Sequence, residues 1–374
     1  MAFPDKPIAH LLGSNGPVHA LAYSASPGTY ILAGSADRSI RLYNPQPSTP
    51  IHPSSSHLSK KPPTTTSTTI PQPLPEGRLI QTYSAHGYEV LSLSVSSSNA
   101  RFASSGGDRS VFLWDVASAQ TLRRFGGTAQ GHTARINCVA FGGDSDNSNN
   151  NEDNLLISGS LDASVRVWDA RSQAPKPVQV LCEARDAVTA VVVRGAEIVA
   201  ASVDGRVRAY DVRMGRCVTD VIGPSVTSLC MTRDGKALLV GGLDSKLRLM
   251  DRESGGCLKT YSDPGWRNED LRVQSILGGK EQYVLVGDEM TGAPPGRNGE
   301  GRIWAFDVLT GEVKAKVAVP WGPAGHEPKK FVGKDGKPKE RSNVLSCFAW
   351  RDNGFGDQYC VSGTSGIVTV FGYH

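Results

Sequence analysis

One phrase recurs seven times along the chain, and it constrains the fold more than any other feature. An acidic residue opens a short turn, an alternation of β-branched and basic residues follows, and a large side chain closes the phrase six positions later. The copies read Asp37-RSIRL-Tyr43, Asp108-RSVFL-Trp114, Asp162-ASVRV-Trp168, Asp204-GRVRA-Tyr210, Asp244-SKLRL-Met250, Glu300-GRIWA-Phe306 and Ser365-GIVTV-Phe371, and only Ser365 departs from the acidic opening. Alternation with a period of two is the pattern of a half-buried strand, and self-similarity at a fixed length points to stacked copies of one unit. The closing residues are 71, 54, 42, 40, 56 and 65 positions apart. Setting aside the tracts 45–77, 142–153, 288–299 and 320–341 leaves about 42 residues per unit, inside the roughly 40–45 of a four-stranded propeller blade.

The remaining strands of each unit are visible around the phrase. Upstream lie two apolar runs, INCVAF (136–141) and LLISGS (155–160) in the third unit, and downstream one more alternating run such as LIQTY (79–83), TLRRF (121–125) or CLKTY (257–261). The reading is an all-β chain, 1–374, folded as a single seven-bladed β-propeller. Its seventh unit lacks an outer strand, since only Gly-Tyr-His follows Phe371. The run PIAHLL (7–12) is expected to supply it, closing the ring and removing the exposed strand edges that invite misassembly.

Composition agrees with a packed, intracellular chain. Hydrophobic residues make up 39% and charged residues 20%, enough for a sizeable core. No run approaches the 18 or so apolar residues of a membrane span, and the N-terminus lacks the basic and apolar regions of a secretory leader. Seven cysteines with no C-x-x-C pair suggest reduced thiols.

The fullest copies, His86…Asp108…Trp114-Asp115 and Gly131-His132…Asp162…Trp168-Asp169, resemble the WD-repeat family, and the resemblance covers the chain outside the four tracts. In that family a His, a Ser/Thr, the turn Asp and the Trp form a structural hydrogen-bond relay. Carried onto this sequence the relays are His86, Ser104, Asp108, Trp114 and His132, Ser160, Asp162, Trp168, with Ser158 the other candidate serine of the second set. The segments TYSAHGYEVL (82–91), GGDRSVFLWDVASAQ (106–120), EARDAVTAV (183–191) and SVDGRVRAYDVRMG (202–215) are similar to the mitogen-activated protein kinase organizer family, also called the WD repeat domain-containing protein 83 family. That resemblance implies a non-catalytic scaffold associated with the spliceosome in pre-mRNA splicing, or alternatively a cytoplasmic scaffold of a mitogen-activated protein kinase cascade. The implied location is nucleus and cytoplasm, with the propeller a monomer inside a larger complex. Units six and seven match less well.

Asp, His and Ser together would also suit a hydrolase, but the spacing recurs around a ring, which one catalytic centre does not need. The chain has no G-x-S-x-G elbow, no G-x-x-x-x-G-K-[ST] loop and no H-E-x-x-H pair. Neither the other histidines nor Asp263, Glu269 and Asp270 have ligand or acid–base spacing. No catalytic residue, metal site or cofactor is expected.

Propeller topology assigns each tract to a face. Links from the outer strand of one blade to the inner strand of the next emerge on one rim, here called the top, together with the turns between second and third strands. The Pro/Ser/Thr-rich tract 45–77, expected to be disordered, and the acidic 142–153 fall on the bottom. Tracts 288–299 and 320–341 fall on the top, and 320–341 carries a net charge of +3. Candidate protein-binding residues on the top are Tyr88, Glu89, Arg135, Arg185 and Asp186, with Trp266, Arg267, Trp321, Lys329, Lys330 and Phe331 around the sixth and seventh blades. The basic 320–341 link is also a candidate contact for RNA phosphate.

Overall fold

The acidic opener of the phrase makes a turn because its carboxylate can hold a backbone that would otherwise be strained. In the computed structural model the residue after it has a positive φ in five blades: 72° at Arg38, 56° at Arg109, 60° at Ala163, 75° at Gly205 and 55° at Ser245. Only glycine adopts that conformation freely. The carboxylate compensates by accepting the backbone N–H two residues on, at 3.1 Å from Ser39 to Asp37, 3.0 Å from Ser164 to Asp162 and 3.2 Å from Arg206 to Asp204. A tight reversal then delivers the alternating run into antiparallel pairing.

The structure describes residues 3–47, 74–127, 129–142, 152–289, 299–323, 325–326, 328, 330–332, 338–340, 342–351 and 357–373. Among these residues the strands form seven four-stranded antiparallel sheets and one two-stranded hairpin. From inner to outer strand, blade one is Val18–Tyr23, Ile31–Ser35, Ser39–Pro47 and Gly77–Ser84, and blade two is Val90–Val95, Arg101–Gly106, Ser110–Asp115 and Thr121–Gly126. Blade three is Ile136–Gly142, Leu155–Ser160, Val165–Asp169 and Gln179–Leu181, and blade four is Val188–Arg194, Glu197–Ser202, Arg206–Asp211 and Arg216–Val221. Blade five is Val226–Met231, Ala237–Gly242, Lys246–Asp251 and Cys257–Tyr261. Blade six is Ser275–Gly278, Tyr283–Gly287, Gly301–Asp307 and Val313–Val319. Blade seven takes Leu345–Trp350, Gln358–Gly363 and Val368–Gly372 from the C-terminal region and Pro7–Leu11 from the N-terminal one. That closing pair is antiparallel, with Pro7 opposite Phe371 and Leu11 opposite Val368.

The large residues that close the phrase are the core. Tyr43, Trp114, Trp168, Tyr210, Phe306 and Phe371 are buried between neighbouring blades, while Met250 is half-buried in the same position. Each lies against apolar side chains of an adjacent sheet, so sheet-on-sheet packing, rather than any one blade, holds the ring. Phe3 adds an anchor that the sequence pattern did not reveal: its ring meets Tyr283 of blade six edge-on at 5.2 Å and Tyr359 of blade seven at 5.7 Å.

Every seam is latched by side-chain hydrogen bonds. Asn99 bonds both backbone groups of Ala25 across blades one and two, and Ser92 accepts from the Val139 N–H across two and three. Asn137 donates to the Val188 carbonyl, Thr189 to the Val226 carbonyl, and Ser228 shares a bond with Ser275. Gln274 accepts from the Phe348 N–H, and the Cys347 thiol points at the Val18 carbonyl to complete the circle. Six of the seven inner strands carry a bulge one residue after their start, as between Val18 and Ala20 or Ile136 and Cys138. Such a bulge re-aims the skipped side chain.

The tracts leave the blades where the topology requires. The 45–77 tract joins the third and outer strands of blade one, but its residues 48–73 lie outside the described residues, as do 143–151 and 290–298 of the next two tracts. The expected disorder of 45–77 does not hold at its ends, where Pro47 pairs with Gly77 in the sheet of blade one, and over 48–73 it falls outside the described residues. Within 320–341, Lys330–Val332 pairs with Pro338–Glu340 as a small hairpin. Among the described residues the one helical element is a short 3-10 turn, Glu152–Asn154, and none is long and apolar enough to cross a membrane.

Candidate functional site

Two of the phrases carry a complete polar chain into the blade interior. In blade two His86 Nδ1 lies 2.5 Å from Asp108, His86 Nε2 lies 2.7 Å from Ser104 Oγ, and Trp114 Nε1 donates to the same oxygen at 2.8 Å. In blade three His132 Nδ1 lies 2.9 Å from Asp162, and Ser158 Oγ lies 2.8 Å from both His132 Nε2 and Trp168 Nε1. A carboxylate can only accept, so Nδ1–H donates to it, which leaves Nε2 to accept from the serine hydroxyl while the serine oxygen accepts the indole N–H. Burial alone would raise the Asp108 carboxyl, but the bonds from His86 and the Gly87 N–H hold it below the usual range. Asp162 is likewise held low against burial by His132 and Ser164. Burial lowers the His132 pKa, with the Asp162 bond working the other way.

The serine of the second relay is Ser158, which corrects the sequence assignment to Ser160. The two lie on one face of the same strand, so alternation cannot separate them. Position along the strand does: the relay serine stands ten residues before the tryptophan in both blades. Ser160, nearer the turn, donates instead to the Arg135 carbonyl at 2.8 Å. Ser104 and Ser158 are fully buried, so these Asp–His–Ser chains are sealed from any substrate.

Elsewhere the opener keeps its place but changes partner. Arg41, Arg208 and Arg248 pair with Asp37, Asp204 and Asp244 at 2.8, 2.6 and 2.5 Å, a guanidinium standing where the imidazole would be. The Asp204 carboxyl, which burial would raise, is brought down to about 2 by Arg208 first and Ser202 next. In blade six Trp304 donates to Asp288 at 3.1 Å, and the neighbouring Glu289 accepts the Asp270 N–H at 2.9 Å. Both acids are buried, and sequence reading missed them because they sit at the edge of a polar tract.

The candidate partner-binding residues separate into groups. Tyr88, Arg135, Arg185, Asp186 and Arg267 are exposed on the top, and Glu89 is half-buried there. Trp321 is also half-buried. Trp266 is not available: it is 1% exposed, packs against Phe306, and donates to the Gly287 carbonyl at 2.8 Å. Its hydrophilic neighbours in SDPGWRNED suggested exposure, but the indole fills the base of blade six. Lys329 lies outside the described residues, and so do the side chains of Lys330 and Phe331, whose backbone forms the hairpin.

At the centre of the ring is a cavity of about 590 Å³ whose wall includes residues of all seven inner strands or the links just before them. Of the residues skipped by the six bulges, His19, Leu91, Asn137, Thr227 and Ser346 are part of that wall. Glu89 and Arg135 reach it from the top, joined by Leu271 and Arg272. Arg272 spans from blade six to donate to the Asn137 carbonyl of blade three at 3.0 Å. Among the described residues no group of three or more His, Cys, Asp or Glu is placed to hold a metal ion.

The repeats have counterparts in known proteins. The WD domain, G-beta repeat family matches residues 5–44, 77–115, 123–169 and 215–251. WD repeat domain-containing protein 83 of Homo sapiens is 36% identical over 319 residues, 85% of this chain and 84% of that protein. The Mus musculus protein of the same name is 35% identical over 319 residues, with the same shares covered. A homolog from Dictyostelium discoideum is 27% identical over 336 residues, 82% of this chain and 87% of that protein. With similarity running across the repeats and most of both chains, this protein belongs to the WD repeat domain-containing protein 83 family.

Proposed function

We propose that this protein is a non-catalytic scaffold that holds protein components of a nuclear RNA-processing assembly, the spliceosome, through its top face, and that it is present in both nucleus and cytoplasm. The observation that carries this reading is the division of polar side chains. Those that could form a hydrolytic triad are spent in sealed relays, whereas Tyr88, Arg135, Arg185 and Arg267, from separate blades, stand exposed on one rigid face. Tyr and Arg are the residues that most often anchor protein interfaces. The splicing assignment rests on the family resemblance of the second to fourth blades. The basic 320–341 link adds a salt-dependent contribution through Lys329 and Lys330, with RNA phosphate as its other ligand.

The test is affinity purification of the tagged full chain from nuclear and from cytosolic extracts, with partners identified by mass spectrometry. Spliceosomal proteins should dominate the nuclear sample and diminish when 320–341 is shortened. Kinase-cascade components recovered from cytosol alone would favour the signalling scaffold instead. Recovery that survives loss of 320–341 yet fails without 45–77 and 142–153 would move the binding face to the bottom. No reproducible partner in either extract would end the scaffold reading.

A further inference from the structure

Several guanidinium groups drawn into the body of this protein meet a carboxylate, as Arg41, Arg208, Arg248 and Arg252 meet Asp37, Asp204, Asp244 and Glu197. Arg272 does not. It projects into the central cavity, where its hydrogen bond goes to the neutral Asn137 carbonyl, and Arg135 is close enough to act on it as a like charge. Among the described residues no carboxylate is within ion-pair distance of either arginine. Enclosure by the wall weakens the hold of Arg272 on its proton most, with Cys138 opposing and Arg135 adding to that effect. Yet the side chain is open to channel water. Two like charges that share one wall, with no carboxylate paired to either, favour an anion between them.

Resting on the scaffold reading above, we infer that the top mouth of the central channel is a receptor for one carboxylate side chain, Asp or Glu, of a partner protein segment, gripped between Arg135 and Arg272. Charge selects a monoanion. Glu89 stands on the same wall beside His19, so two guanidinium charges less one carboxylate leave a single positive charge to neutralise. His19 adds none near neutral pH, because burial lowers its pKa despite the pull of Glu89. Leu271, 45% exposed at the mouth, offers an apolar contact to the residue beside the acid. The volume of about 590 Å³ falls within the roughly 300–1,000 Å³ of ordinary ligand sites. A nucleic acid strand is the poorer occupant, since the wall has no Phe, Tyr or Trp on which a base could stack.

The test selects random twelve-residue peptides displayed on phage against the full chain, and repeats the selection against Arg135→Gln, Arg272→Gln and the double variant. Wild-type binders should be enriched in Asp or Glu. Their affinity should fall about 10- to 100-fold with either single change, the range expected for a charge-assisted hydrogen bond. Arg135 is exposed, so its variant remains informative should Arg272→Gln fold poorly. Resynthesis of the best peptide with Gln at the acidic position should abolish binding. Tighter binding with phosphoserine there would overturn the carboxylate assignment, and arginine-dependent binding of polyuridylate alone would overturn the protein ligand. Peptides without acidic enrichment, peptides that bind both proteins equally, or no peptides at all would overturn the site. If the double variant still recovers the wild-type set of proteins from extracts, the scaffold stands and this receptor falls. If the wild type recovers none, the scaffold itself falls.

Discussion

A serine hydroxyl can accept one hydrogen bond and donate another, and Ser158 does both at the bottom of a sealed relay. Ser158→Ala leaves the Trp168 N–H without an acceptor and His132 Nε2 without a donor. The expected loss is about 1–3 kcal/mol, read as a lower denaturant midpoint with a changed Trp168 emission; an unchanged midpoint would mean the relay does not form in solution. Trp266→Ala should cost about 3–5 kcal/mol by emptying the base of blade six, the effect of a core residue and not of an interface anchor. The histidines set the response to pH. Burial holds His10, His19 and His132 below their ordinary pKa, so the fold keeps their neutral forms. The unfolded chain takes up those protons near pH 6.5, so stability is present above that pH and drains away as pH falls below it. The lowered carboxyls of Asp108 and Asp162 add a second loss below about pH 4. Urea midpoints should therefore be higher at pH 7.5 than at 5.5. A flat profile between those values would contradict the buried-neutral assignment.

Strands two and three were legible in the sequence because turn chemistry and alternation agree there, most fully in the five blades that have an acid, a positive-φ residue, then a period of two. The closing strand was legible for another reason: the seventh unit lacks an outer strand, which placed it at 7–12, and the structure has it at Pro7–Leu11. What the pattern could not supply was depth along a strand, which is why Ser160 was preferred to Ser158, and burial of an aromatic inside a polar link, which hid Trp266. The channel wall was also illegible, because the bulges reverse the facing of one residue in six of the seven inner strands and no composition signal marks them. Blade contact adds a further demand on single positions. A Cβ built on Gly159 would stand 2.5 Å from Val188 Cγ1 across the seam between blades three and four. Gly159→Ala should destabilise by about 1–3 kcal/mol through this crowding, a thermal melt being the check. A variant that melts at the wild-type temperature would show the seam to be looser than the structure has it.

The molecule as a whole depends on one long-range pairing. Six blades are built from consecutive strands, while the seventh joins segments some 359 residues apart at His10 and Thr369. Removing residues 1–12 takes away that strand and the Phe3 anchor together. The ring should then lose its single cooperative transition, melting earlier and yielding to protease at blade seven first. Retention of the full-length melting temperature would show that the ring closes without its borrowed strand. The direction of the closing pair has a mechanical corollary. Pro7 lies opposite Phe371, so the two chain ends leave the ladder at the same end. Tension between them would load the hydrogen bonds one after another, as in a zip, because antiparallel bonds lie across the strands and the pull is delivered at one end. The propeller is thus a ring whose seams share the work of holding it together, but which parts at low force when drawn open by its own ends.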